Sequence, residues 1–515
     1  MGRTLPLEAK EPEGGRGRPP FSSMKIIIKN DKNKKSWQGS LHCDNAAISF
    51  RLLRVAHNDK VFRSQKTEVR RCRGTACRAR KSGGVMQLSH FLKIYPYEKM
   101  RGYLLLFSTR RSSVIVIKEE TFQAIEQGTL SPEDEALLFK HGVIVSDREE
   151  EKRHMLGLSD TKNMKNPALN SMVVLNLDCN FACLYCYEGE MKGNLYMSDE
   201  TAALLIDLIK KNFTGEKNKL LIDFYGGEPL LSLELIKSIS QELKAFVQRK
   251  GGSFNFTLVS NGSLFKRRTA EELVTLGLER IKITLDGPAE VHNHYRPFKS
   301  GAGSFDILIK NIKETCDLLK IAIGGNFERQ NYKQFVPLLD FLIKEGLTPD
   351  KIDAIKFDPV FKRPEGDLSP ADYRGGCTST NEPWLNQASI FLREAILKRG
   401  YKTPKISPIF CMVDNKSSFV VNFDGVIYKC PAFIGKQGFA VGDARNGIGD
   451  YTNSYKLGFW KNYQECAECV YLPLCFGGCR YTTFIQNGAV GSIDCRKDHL
   501  DATLEAFIKQ EVKYR

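Results

Sequence analysis

The 515-residue chain is predicted to be an α/β protein centred on a partial barrel of six β/α repeats, with a small domain in front and a cysteine-rich extension behind. Three observations predict this. From residue 172, apolar runs of strand length alternate six times with helical patterns, which argues a parallel sheet. Glycine and short polar residues fall where those runs end, as in Gly226-Gly227 and Ser260-Asn261-Gly262. Reactive groups in β/α barrels sit at that end of the strands. Cysteines crowd into two clusters, one directly after the first run and one near the C-terminus.

Residues 1–85 carry 20 Lys+Arg against 7 Asp+Glu, whereas the other 430 residues carry 56 against 53. The net charge of +16 is therefore a property of this segment and not of the body. It lacks sustained apolar periodicity, so it cannot easily offset the entropy of ordering and is expected to be disordered. One reading is a basic arm that touches nucleic acid through phosphates, with Cys72 and Cys77 as a metal knuckle. The favoured reading is that translation begins at Met86, where patterning begins. The near-neutral body speaks against nucleic acid as a partner.

Residues 86–150 read as a small winged-helix-like domain. Tyr103 to Phe107 and Val114 to Ile117 are expected strands, followed by helices over 119–127 and 131–141, the second capped by Ser131. Val143 to Val145 is a last short strand. Residues 151–171 form a charged linker. The barrel occupies 172–360, with strands expected at 172–177, 220–224, 254–259, 280–285, 320–325 and 352–357. Leu204, Leu205, Leu208 and Ile209 share one face of a helix over 199–213, capped by Ser198. A connecting segment (361–407), a cysteine-rich domain (408–500) and a C-terminal helix (501–515) complete the chain. Asp424-Gly425 reads as a tight hairpin turn.

Apolar content of 42% and charged content of 26% fit a globular protein. No run approaches the ~18 apolar residues of a membrane span, and Met24 to Ile28 is too short for a signal-peptide core. Fifteen cysteines in close-spaced groups read as metal ligands in a reducing compartment, which points to the cytoplasm.

Cys179, Cys183 and Cys186 have the spacing C-x3-C-x2-C, which suits three corners of a [4Fe–4S] cubane and leaves one iron open. With Tyr185 before the third cysteine, the loop resembles that of radical S-adenosylmethionine (SAM) enzymes. The alternative for the loop alone is a zinc site. The resemblance implies the radical SAM core fold, a partial (β/α)6 TIM barrel. It implies that Gly226, Gly227, Glu228 and Pro229 contact the SAM amino group, that Ser260 and Asn261 bond the ribose, and that Arg296 pairs with the carboxylate. An ordinary turn is the alternative at 260–262. The family often has Asp where this chain has Asn293, which leaves the local hydrogen bonding open. His292 and His294 are expected in packing or surface roles, and Cys316 in the core.

Near the C-terminus, Cys411, Cys430, Cys466, Cys469, Cys475, Cys479 and Cys495 match the spacing of the iron–sulfur SPASM extension of radical SAM proteins. That resemblance implies two auxiliary [4Fe–4S] clusters, one on Cys411, Cys430 and Cys479, the other on Cys466, Cys469, Cys475 and Cys495. For the first, Cys377 is the candidate fourth ligand, or the iron stays open to substrate. A zinc ribbon is the alternative for the whole set.

Within such proteins the front domain is similar to leader-peptide-recognition domains, which can add a peptide to a sheet edge; a packing cap is the even alternative. The implied activity is reductive cleavage of SAM and abstraction of a hydrogen atom from a ribosomally made precursor peptide, installing a cross-link such as a thioether. A flavodoxin- or ferredoxin-type protein is the implied electron donor, and no membrane is expected as a partner. Leu88 to Glu98 and Ser108 to Ser112 faintly resemble maturases assigned to geopeptides. The alternatives are an anaerobic sulfatase maturase, which forms formylglycine, and a non-enzymatic electron carrier. Sulfatase maturases carry an Asp directly after the second SPASM cysteine, where this chain has Pro431.

Overall fold

The computed structural model describes residues 86–186, 188–361, 377 and 379–514. The basic segment 1–85, with its expected disorder and start site, lies outside the described residues.

The front region has β1 (Gln87–Leu88), β2 (Leu92–Pro96), β3 (Tyr103–Ser108), β4 (Ser113–Lys118), α1 (Glu119–Gln127), α2 (Pro132–Lys140) and β5 (Ile144–Val145). β2, β3 and β4 form an antiparallel sheet in that order, and β1 pairs with β5. The expected strands and helices are present; β1 and β2 are additions. Ser131 Oγ accepts from Asp134 N at 3.1 Å and caps α2. Ser131→Ala should cost about 1 kcal/mol. Amide exchange in α2 should speed up about fivefold, and an unchanged rate would show that the cap carries no stability.

Side chains alternate across a strand, and here both faces are buried. Leu106, Ile115 and Ile117 meet Ile125 and Leu138 of α1 and α2. Leu105, Phe107 and Val116 meet Tyr471, Leu504 and Phe507 near the C-terminus. Thr109 Oγ1 donates to Val470 O at 2.7 Å. The front sheet is therefore wedged between its own helices and the C-terminal region.

After α3 (Arg148–Leu156) and α4 (Leu158–Met164), the barrel runs β6 (Ala168–Val174), α5 (Asp199–Asn212), β7 (Lys219–Tyr225), α6 (Leu233–Arg249), β8 (Ser253–Ser260), α7 (Arg267–Leu276) and β9 (Leu278–Thr284). It continues with α8 (Ala289–Tyr295), α9 (Phe305–Thr315), β10 (Lys320–Phe327), α10 (Phe335–Lys344) and β11 (Ile352–Pro359). The six strands are parallel and neighbour one another in chain order. Leu205, Leu208 and Ile209 of α5 are buried behind the Ser198 cap, as expected.

The first strand is displaced from its expected 172–177. Its early residues Ala168 and Leu169 pair with Lys219 and Leu220 of β7, and β12 (Ser418–Val421) joins parallel on the other side from Asn170, which lies opposite Ser418. Its expected last residues pair instead with the chain ahead of α5: Met197 N donates to Leu175 O at 2.8 Å and Leu177 N to Leu195 O at 2.9 Å. β12 then continues antiparallel through β13 (Val426–Tyr428), β14 (Ala440–Asp443) and β15 (Gly447–Ile448), so one ten-stranded sheet joins barrel and extension. The expected hairpin turn is there: Gly425 has φ +83° and Val426 N bonds Asp424 Oδ1 at 3.0 Å. α11 (Pro383–Lys398), α12 (Arg480–Asn487) and α13 (Lys497–Lys513) complete the fold. Among the described residues no helix is long and apolar enough to cross a membrane.

Candidate active site and cysteine centres

The loop after β6 carries three thiols into a protected place. Cys179 and Cys183 are buried and Cys186 is partly buried. Burial pushes the Cys179 thiol up to about 12 and Cys183 upward as well, opposed by Arg296. Thiols in such a place lose their protons to a metal, which deprotonates a coordinating thiol outright. Lys192 is the counter-cation. Burial works against its charge, yet Cys186, Cys179 and Cys183 together hold it above its ordinary value. The three sulfurs thus share one electrostatic neighbourhood, as the ligands of one cluster must.

Gly226 and Gly227 follow β7. A Cβ on Gly227 would lie 2.0 Å from Asp178 O, and one on Gly226 would lie 2.6 Å from Asn176 O. The glycines let this turn cross directly beneath the cysteine loop. Gly227 N donates to Asn176 O at 3.0 Å and Glu228 N to Asp178 O at 2.7 Å. The close approach that the glycines permit here includes one to the neighbouring backbone of the cysteine loop.

Glu228 is fully buried. Its carboxylate accepts from Leu230 N at 3.0 Å, Ser260 Oγ at 2.8 Å and Asn261 N at 2.7 Å. Burial raises its pKa to about 7 against these three bonds and Arg296. Asn261 Nδ2 reaches Asn180 Oδ1 at 2.7 Å and Cys179 Sγ at 3.7 Å. Glu228, Ser260 and Asn261 therefore tie the turns after β7 and β8 to the cysteine loop. Pro229, also buried, opens the short turn Pro229–Ser232.

Opposite them lies a network that the sequence did not reveal. Tyr185 OH donates to Asp286 Oδ2 and accepts from Arg296 Nη1 at 2.9 Å and Asn326 Nδ2 at 3.0 Å. Asn326 N closes the ring on Asp286 Oδ1 at 2.7 Å. Burial alone would lower Arg296, but Cys183, Tyr185 and Asp286 hold it well above its ordinary value. Its Nε is buried without a hydrogen-bond partner among the described residues, a donor that suits an anion. His292 is buried and braces the turn, with Nδ1 accepting from Asp286 N at 3.2 Å; His294 is exposed. Asn293 answers its own question: Oδ1 accepts from Ser304 N at 2.8 Å and Phe305 N at 2.9 Å at the start of α9. Cys316 is half-buried at the end of that helix.

In the extension, Cys466, Cys469, Cys475 and Cys495 all line one cavity of about 570 Å³. Burial pushes Cys466 up to about 11 and Cys475 up to about 12. Four thiols around one cavity are a donor set that suits a metal centre, zinc or iron–sulfur.

Cys411, Cys430 and Cys479 surround a different pair. Arg480 is buried and bonds Asp414 twice, at 3.0 and 2.8 Å. Burial opposes its charge; Asp414, Cys411 and Cys479 more than restore it. Burial first, then Cys430 and Cys411, raise Tyr455. Cys377, the candidate fourth ligand, lies at the end of β11. Its thiol donates to Val360 O at 3.3 Å, and the charges acting on it are Glu382 and Glu328. It belongs to the end of β11, beside Glu328, whose carboxylate accepts from Tyr295 OH at 2.8 Å.

These features define a class. Residues 173–342 match the Radical SAM superfamily, so the chain carries a radical SAM domain and is an enzyme that works with SAM and a [4Fe–4S] cluster. Among known proteins it is similar to the cysteine-type anaerobic sulfatase-maturating enzyme of Clostridium novyi (strain NT), at 23% identity over 59% of this chain and 85% of that protein. It is also similar to the Fe-coproporphyrin III synthase of Methanosarcina barkeri, at 28% identity over 43% of this chain and 49% of that protein. The solved structure of native anSMEcpe with bound AdoMet and Cp18Cys peptide shares the fold, with a TM-score of 0.55 and 18% identity over 68% of this chain and all of that one.

Proposed function

We propose that the chain is a maturase that modifies a ribosomally made precursor peptide, installing a cross-link such as a thioether. Bound SAM supplies the chemistry: reductive cleavage yields methionine and a 5′-deoxyadenosyl radical that takes a hydrogen atom from the substrate. Cys179, Cys183 and Cys186 hold the cluster, with Lys192 balancing its charge. Arg296, kept charged and oriented by Tyr185, holds the SAM carboxylate through its unpartnered Nε. Glu228, Ser260 and Asn261 keep the loops in register. The four-cysteine cavity would hold an auxiliary cluster able to accept the electron that a substrate radical gives up as it becomes product, and Cys411, Cys430 and Cys479 would hold a second.

One observation carries the peptide reading. The front sheet β2–β3–β4 is fixed on both faces and packs beside the four-cysteine cavity, through Thr109 on Val470 and through His90 Nε2 against Glu468 O at 3.1 Å. Its outer strands each have one partner among the described residues, which suits addition of an extended peptide. A sulfatase-maturing activity is favoured by the Clostridium novyi relative. Against it, Pro431 stands where those enzymes carry an Asp, and a buried proline cannot act as a base.

The deciding experiment is mass spectrometry after anaerobic turnover with a Cys-containing precursor peptide and with a sulfatase-derived Cys peptide. Cross-linking removes hydrogen and keeps sulfur in the peptide, whereas formylglycine formation removes sulfur. Sulfur loss from the sulfatase peptide alone would overturn the proposal. Separately, Arg296→Lys should weaken SAM binding about 10- to 100-fold, the worth of a charged hydrogen bond, with cluster iron unchanged. Equilibrium dialysis under anaerobic conditions checks this; equal affinity would leave Arg296 a purely structural role.

A further inference from the structure

Two buried cations stand among the second group of cysteines, and the proposed function gives them no part. Lys429 has no exposed surface, and Arg480 keeps only 3%. Lys429 directly precedes Cys430, and Arg480 directly follows Cys479. Both grip the turn that follows Cys411. Lys429 Nζ donates to Asn415 O at 2.9 Å and to Ser418 O. Arg480 holds both carboxylate oxygens of Asp414 through Nη1 and Nη2. That turn starts at the cysteine itself, because Asp414 N donates to Cys411 O at 3.1 Å. Each cation thus ties the neighbour of one cysteine to the turn of another, and the three thiols are held in one neighbourhood.

The charges here do not cancel. Asp414 answers Arg480. The ammonium of Lys429 meets two carbonyls and the face of Tyr451, 4.6 Å from the ring centre, and among the described residues no carboxylate is bonded to it. Burial works against its charge and lowers its pKa, opposed by Cys411 and Asp414. A buried cation without a counter-ion is costly. Negative charge beside it offsets that cost, and three thiolates outweigh the charge of an oxidised [4Fe–4S] core. The four-cysteine cavity differs. Its ionic lining groups are Glu465 and Glu468 against Arg496 and Lys497, which balance. Lys152 on Glu468 and Asp494 on Arg496 balance as well. Cys495 there is exposed to solvent.

Net charge and solvent exposure set the potential of such clusters, and a charge acts most strongly in a low-dielectric interior. Reduction adds negative charge, so a neighbouring cation favours the reduced state. We propose that Lys429, supported by Arg480, raises the potential of the centre on Cys411, Cys430 and Cys479 above that of the four-cysteine centre, which makes it the more readily reduced of the two. Neither cation is a ligand; both are positioning residues. The proposal rests on reading those three cysteines as a cluster site. An electron given up by a substrate radical then settles there: the radical is oxidised by one electron and this centre is reduced by one.

The test is an EPR-monitored redox titration of the full, oxygen-protected chain carrying Cys179→Ala, Cys183→Ala and Cys186→Ala, which leaves only the auxiliary centres. Two one-electron steps are expected. Cys411→Ala should remove the step at higher potential, together with the iron of one cluster. Lys429→Met should shift that step downward by about tenfold in the reduction equilibrium, about 59 mV for one electron. Lys429→Arg should restore it, and Asp414→Asn should shift it upward. The other step should stay in place in all three variants. A higher step that Lys429→Met leaves unmoved, that Lys429→Arg moves equally, or that disappears with Cys475→Ala and not with Cys411→Ala would overturn the proposal. If Lys429→Met does not fold, Asp414→Asn decides, and an unmoved step there overturns the proposal too. Iron for one cluster only, unchanged by Cys411→Ala, would overturn the cluster reading beneath it.

Discussion

Cys183→Ala should release no 5′-deoxyadenosine above background when the protein is reduced anaerobically with SAM. Cys183 is buried and feels the charges of Arg296 and Cys186, and it is one of four groups, with Cys186, Cys179 and Glu188, that hold Lys192 protonated. Alanine removes a ligand from a cluster to which the loop offers only three. It also leaves two cations facing too little negative charge. Iron content should fall by one cluster, while the cavity lined by Cys466, Cys469, Cys475 and Cys495 keeps its complement. Cys316→Ala is the matched control, since that thiol sits half-buried at a helix end and donates to Lys313 O at 3.6 Å within its own helix. Normal release from Cys183→Ala would refute the assignment of the loop.

Gly227→Ala should be nearly as damaging, for a different reason. The added methyl would meet Asp178 O at 2.0 Å and Asp178 C at 2.5 Å, and both are backbone atoms that cannot turn aside. Ordinary overpacking costs about 1–3 kcal/mol; a clash with fixed backbone belongs to the exceptional class above ~4 kcal/mol. The turn after β7 must then leave the cysteine loop, breaking the bonds from Gly227 N and Glu228 N. Purified protein should carry little iron in the first centre and unfold at lower denaturant. Gly193→Ala, where the nearest atom is a leucine side chain at 3.8 Å, should be silent in both measurements. Equal behaviour of the two variants would show that the glycine pair is not holding the loops together.

Most of the barrel was legible because its signals are local. Alternating runs, a capping Ser198 and cysteine spacing are each read within a few residues. What stayed hidden depends on distant partners. β6 begins early because Ala168 and Leu169 find partners in β7, and it gains a second neighbour, β12, from far along the chain. The network of Tyr185, Asp286, Arg296 and Asn326 draws its members from three loops and from β10, so no spacing announces it. β2 was missed because Leu92-Lys93-Ile94-Tyr95-Pro96 holds a lysine and a proline and gains its strand character from β3. The surroundings of Cys377 were hidden too, because its contact with Val360 O at the end of β11 joins residues well apart in sequence.

The seam between β6 and β12 has a bearing on how the chain is made. A ribosome delivers β6 long before its neighbour exists, so the nascent barrel carries a bare flank of unsatisfied amides and carbonyls. Such flanks recruit other chains, and contacts so far apart in sequence form slowly. Premature termination ahead of Ser418 should therefore give a product that clumps, not a smaller working barrel.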